Sequence, residues 1–87
     1  MTVAQWIPIV VPELGGEPVQ VVQWLVEPGT SLVAGDRLLE LLTAGVLFHL
    51  SADADGVLVQ QDCTRGCLVN AGETLGWIEP PESEFSP

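Results

Sequence analysis

Short apolar runs separated by turn residues set the rhythm of this chain. Segments of four to eight residues rich in Val, Ile, Leu and Trp alternate with Gly, Pro, Asp and Asn, the pattern of an all-β domain with short strands. The pattern predicts strands over Gln5–Val11, Val19–Glu27, Ser31–Val33, Arg37–Thr43, Val46–Ala52, Gly56–Cys63, Cys67–Val69 and Thr74–Glu79. In the second of these, Val22, Trp24 and Val26 alternate with Val21, Gln23 and Leu25. Apolar residues on both faces predict a strand buried on one side and partly covered on the other. No window of helical length carries a clean 3.6-residue period.

The pattern repeats. With an offset of 37 residues, the stretch Val22–Leu41 falls on Val59–Ile78. Val22, Gln23, Gly29, Ala34, Gly35 and Leu38 meet Val59, Gln60, Gly66, Ala71, Gly72 and Leu75. Leu32, Asp36 and Leu41 meet Val69, Glu73 and Ile78. Matched glycines imply matched turns. Each copy alone would leave an apolar face in water, so the repeat predicts two sheets packed about a pseudo-two-fold axis.

Composition narrows the function. Eighty-seven residues fit one domain, and 47% hydrophobic against 16% charged residues gives ample core material. Twelve acidic residues face two basic ones, Arg37 and Arg65, for a net charge of −10. Nucleic acid and anionic membranes are poor partners for such a surface, and a basic protein is a good one. Solubility alone also accounts for the charge. Two cysteines make no disulfide scaffold, the start has no secretory character, and no run is long enough to span a bilayer, so a cytoplasmic location is expected. The tail from Pro80 to Pro87, "PPESEFSP", shifts to Pro and acidic residues. It reads as a frayed end or the start of a linker after a domain over residues 1–79. Phe85 is a candidate to dock back.

The ordered set Pro12-Glu13-Leu14-Gly15, Trp24, the Pro-Gly turn at Gly29, Gly35-Asp36 before Leu38, and then Gly56, Gly66 and Gly72 resembles the lipoyl domain of 2-oxoacid dehydrogenase acyltransferases. The likeness runs from about Ile7 to Glu79. It implies the biotinyl/lipoyl fold, a flattened β-barrel or sandwich of two four-stranded antiparallel sheets. In that family a hairpin tip carries Asp-Lys-Ala, and the lysine takes lipoate or biotin. Counting back from Gly56, those positions fall on Ala44, Gly45 and Val46, and the acidic residue before them on Leu42. The chain contains no lysine, and an amide link needs a side-chain amine. Arginine, always protonated, is no substitute. The expectation is a vestigial tip with no cofactor, no catalytic residues and no metal. Gly45 at the second central position suits a tight hairpin. Leu42, Val46 and Leu47 are left as an apolar contact for a protein partner. Glu13 and Glu17 lie in the loop that, by resemblance, neighbours the tip and helps recognise partner enzymes; a solvated loop explains them equally. The resemblance thus leaves two roles open: an independent interaction or structural module, and a non-acylated accessory of a 2-oxoacid dehydrogenase complex.

Other chemistry is thin. Cys63 and Cys67 flank "TRG". The spacing is not the redox Cys-x-x-Cys, and a metal would need more ligands, with His49 the only imidazole. Two small apolar residues in strands fit better, since Cys63 matches Val26 in the repeat, and a hairpin disulfide is the alternative. His49 is expected to face away from Phe48 and Leu50, with no acidic or nucleophilic neighbour in sequence to build a triad. Asp53 and Asp55 read as a polar turn; calcium would need more oxygen ligands. Trp6, Trp24 and Trp77 read as core or edge residues.

Overall fold

A computed structural model describes residues 5–81. Eight strands follow in order: β1 (Ile7–Val10), β2 (Val19–Trp24), β3 (Ser31–Leu32), β4 (Arg37–Thr43), β5 (Val46–Ser51), β6 (Gly56–Gln61), β7 (Leu68–Val69) and β8 (Thr74–Glu79). They form two antiparallel four-stranded sheets, ordered β1-β8-β6-β3 and β5-β4-β2-β7. All eight predicted strands are present. Six begin at the predicted residue; β4 and β8 also end there. The others lose one to three terminal residues to turns, the largest being β2, which stops at Trp24 rather than Glu27. The tail beyond residue 81, with Phe85, lies outside the described residues.

The repeat appears in the hydrogen bonds as well as the side chains. β2, β3 and β4 correspond to β6, β7 and β8 at the same offset of 37. Each half interrupts its first strand with a bulge at the same place, between Val21 and Gln23 and between Leu58 and Gln60. Gly66 N donates to Val21 O and Gly29 N to Leu58 O, both at 2.7 Å; Leu25 N donates to Leu38 O and Asp62 N to Leu75 O, again both at 2.7 Å. Asp36 and Glu73 each accept from the backbone N–H three residues before, at Val33 and Asn70.

The core follows from this symmetry. Val21 and Leu58, Leu32 and Val69, Leu38 and Leu75, and Leu41 and Ile78 are pseudo-equivalent pairs, and all eight are buried. Each large side chain removed from water contributes about 1.5–3 kcal/mol. The bulge at Val22 breaks the strict alternation expected along β2. Val19 and Val21 point inward, Gln20 and Gln23 outward, and Leu25 is exposed.

One symmetric position is filled asymmetrically. Trp24 in β2 corresponds to Gln61 in β6. The indole Nε1 of Trp24 donates to Cys63 O at 2.7 Å, and Gln61 Nε2 donates to Val26 O at 2.9 Å, so each side chain holds the other half's loop. The larger Trp24 ring needs space, and Gly76 provides it. A Cβ there would lie 3.0 Å from the ring and 2.5 Å from Gln60 O. In the other half Leu39 occupies the corresponding position. Trp24 is therefore half-buried against the core, as expected for a core or edge residue. Trp6 is exposed and tilts against Trp77 with centroids 6.5 Å apart.

Candidate functional site

The hairpin tip joins β4 to β5. Thr43 pairs with Val46, and Ala44 and Gly45 make the turn with φ of 50° and 78°. Two successive positive φ values are those of the type I′ turn, whose twist matches that of the flanking strands. Gly45 adopts this region freely, whereas Ala44 is the one described non-glycine residue that does so.

Cross-strand partners share a sheet face, so register shows what the tip displays. Leu47 pairs with Leu42, Leu42 with Gln20, and Gln20 with Leu68. These four form one row across the outer face of the second sheet. Leu47 is 50% exposed and Leu68 69% exposed, while Leu42 between them is half-buried. The expected cluster of Leu42, Val46 and Leu47 is thus divided. Val46, also 50% exposed, pairs with Thr43 and lies on the opposite face from Leu47. Leu68 joins the row without having been singled out from the sequence. Its one sequence signal is that its repeat partner is the polar Ser31.

Behind this row the outer face is polar. Glu40 accepts from Gln23 Nε2 at 2.9 Å, and His49 Nε2 lies 3.1 Å from its other oxygen. The bond from Gln23, followed by the bond and charge of His49, outweighs desolvation and lowers the Glu40 carboxyl below its usual range. His49 faces away from Phe48 and Leu50, as expected, but it does have an acidic partner. That partner is nine residues away in sequence and reached only across the sheet.

The loop before β2 meets the tip. Thr43 Oγ1 donates to Pro18 O at 3.1 Å, and Leu14 packs against the core while Glu13 and Glu17 stay exposed. Thr43 is the hydroxyl nearest the turn, and it is buried and engaged. The tip therefore presents no amine: position 45 is glycine, and the 87 residues contain no lysine. These residues do not fit an amide-linked prosthetic group.

Elsewhere, Asp55 Oδ1 accepts from Ala34 N at 2.8 Å, which gives the "SADADG" turn a structural use. Among the described residues no group of three or more His, Cys, Asp and Glu side chains converges on a possible metal position. A recess lined by Ile7, Ile9, Leu38, Leu50 and Ile78 holds about 20 Å³, room for about one water. Cys63 and Cys67 are both free thiols, the first buried and the second half-buried. Burial first, and then the adjoining Cys67 thiol, push Cys63 up to about 11.

Sequence and shape now converge on one class. The Biotin_lipoyl family model, described as biotin-requiring enzyme, matches residues 7–78. The chain belongs to this biotin/lipoyl-attachment family, which normally carries biotin or lipoate on a lysine. It is 38% identical over 66 residues to the dihydrolipoyllysine-residue succinyltransferase component of the 2-oxoglutarate dehydrogenase complex of Bacillus subtilis. That match takes in 76% of this chain and 16% of the relative. The fold is also that of the lipoyl domain of the 2-oxoglutarate dehydrogenase complex from Azotobacter vinelandii. The TM-score is 0.67 at 25% identity, over 90% of this chain and all of that one.

Proposed function

We propose that this chain is a lipoyl-type domain without the acyl-carrying arm, acting as a protein-interaction module. The observation that carries the reading is Gly45, in the position where the resemblance sets the modifiable lysine, within a sequence that has no lysine to replace it. Amide attachment of lipoate or biotin requires an amine nucleophile, and Arg37 and Arg65 supply only guanidinium groups. The tip instead offers apolar contact. Leu42 and Leu47 line its outer face and Val46 its other side, with Leu68 in the same row beyond Gln20, and exposed apolar side chains grouped in this way favour a protein surface. Glu13 and Glu17, on the loop joined to the tip through Pro18, favour a basic rim on that partner. The chain has no catalysis of its own in this reading: the recess beside Ile7 and Leu38 is too small for a substrate, and His49 is paired to Glu40 with no nucleophile between them.

The test is affinity capture with the wild type and with a Val46→Asp/Leu47→Asp variant. Both side chains are half-exposed, so the fold should hold. The variant should lose about tenfold or more in affinity for the captured protein, since central apolar anchors dominate interface energy. Equal capture by both would remove the tip as the contact.

A second reading has its own support in the 38% identity to an acyltransferase component. The chain would then be an accessory of a 2-oxoacid dehydrogenase complex, docking to its enzymes through its acidic surface without acyl transfer. Capture at low salt, where charge-driven contacts are strongest, should recover those enzymes. Their absence there would count against this role.

A further inference from the structure

We propose that Cys63 and Cys67 form a reversible dithiol–disulfide site that takes a low-molecular-weight disulfide as its co-reactant. The two residues flank a turn closed by Cys67 N donating to Thr64 O at 3.1 Å. Cys63 belongs to the core cluster and Cys67 packs against that same cluster. The backbone holds both ends. Trp24 Nε1 donates to Cys63 O at 2.7 Å, Val21 N donates to Cys67 O at 2.8 Å, and Gly66 N donates to Val21 O at 2.7 Å. Two thiols on anchored backbone, facing one cluster, have little conformational freedom left to lose on bonding.

The fold does not require cysteine at either place. The pseudo-equivalent turn between β2 and β3 has the same backbone hydrogen bonds, including Thr30 N to Glu27 O at 3.1 Å. It carries Val26 and Thr30 where this one carries Cys63 and Cys67. The dithiol is thus an addition to one half of a symmetric frame. It also sits at a crossover: Cys63 follows β6 of one sheet, and Cys67 precedes β7 at the edge of the other. A bond between them ties the edge strand to the opposite sheet.

The chemistry balances in two steps. The half-buried Cys67 thiolate attacks one sulfur of R–S–S–R, forming Cys67–S–S–R and releasing RS⁻. The Cys63 thiolate then attacks the Cys67 sulfur, forming Cys63–S–S–Cys67 and releasing the second RS⁻. Both thiolates leave their protons to solvent or to the departing thiolates. The net change is two protein thiols oxidised and one small disulfide reduced to two thiols.

The test equilibrates the full chain in glutathione buffers from fully reduced to fully oxidised, followed by acid quenching, alkylation and mass spectrometry. Alkylatable thiols should fall from two to none in one transition. The product should be a monomer lighter by two hydrogens, and reduction should restore it. Backbone amides of Val21, Gly66 and Cys67 should exchange more slowly in the oxidised form. In Cys67→Ser, the remaining Cys63 should stay a free thiol at the midpoint of the wild-type transition. Thiols that remain free in oxidised glutathione alone, a stable glutathione adduct, or disulfide-linked dimers would each overturn the proposal.

Discussion

Ala44 carries the one positive φ, at 50°, among the described non-glycine residues, and L-residues sit in that region at a cost of about 1–2 kcal/mol. Asn is better suited there, and Asn-Gly is a preferred type I′ pair. Ala44→Asn should therefore raise stability by about 0.5–1 kcal/mol in urea unfolding; an unchanged or lowered midpoint would deny the strain. Gly76 presents the opposite case. A Cβ at this position meets Gln60 O at 2.5 Å and the Trp24 ring at 3.0 Å, and the carbonyl cannot move without disturbing the sheet. Gly76→Ala should cost roughly 1–3 kcal/mol and alter Trp24 fluorescence, whereas a neutral result would mean that the sandwich yields more readily than its packing implies. Cys63 gives a pH signature. Its folded thiol titrates at about 11, above the roughly 8.5 of an unfolded cysteine. The native state therefore holds this proton more tightly. Its contribution is fully present below about pH 8.5 and declines as pH rises towards 11. The chain has neither lysine nor tyrosine, so few other groups titrate in that window. Under reducing conditions Cys63→Ala should flatten the alkaline fall in stability, and an identical fall in the variant would contradict burial as its cause.

Strands were legible because their signals are local. Val19–Trp24 and Thr74–Glu79 announce themselves by apolar runs between Gly and Pro turns, and the offset of 37 fixed which turns correspond. Relations that depend on register were not legible. His49 shows no acidic neighbour in sequence, yet β4 and β5 pair it with Glu40 at 3.1 Å. The bulge at Val22, which turns Gln23 outward beside Glu40, also ends the alternation read along β2. The same dependence on register divided the apolar tip. Consecutive Val46 and Leu47 face opposite sides, and Leu68 enters Leu47's row from a strand twenty-one residues further along the chain. The turn between the two cysteines is not legible either, because a spacing of four residues is compatible with many turn shapes. The hydrogen bonds from Cys67 N and Gly66 N define the turn between them.

At the scale of the molecule, two pseudo-equivalent halves share one core, and the differences between them stand out against that symmetry. Trp24 with Gly76 replaces Gln61 with Leu39, Leu68 replaces Ser31, and two cysteines replace Val26 and Thr30. The frame belongs to the biotin/lipoyl family throughout residues 7–78, and its β4–β5 tip is built from Ala44, Gly45 and flanking apolar residues. Under the proposed function, this frame keeps a contact surface and lacks the attachment chemistry. The most direct test is the intact mass of the protein isolated from its native cell. We expect a mass with neither a lipoyl nor a biotinyl increment, and a chain bearing either one would contradict the reading of Gly45 on which the proposed function rests.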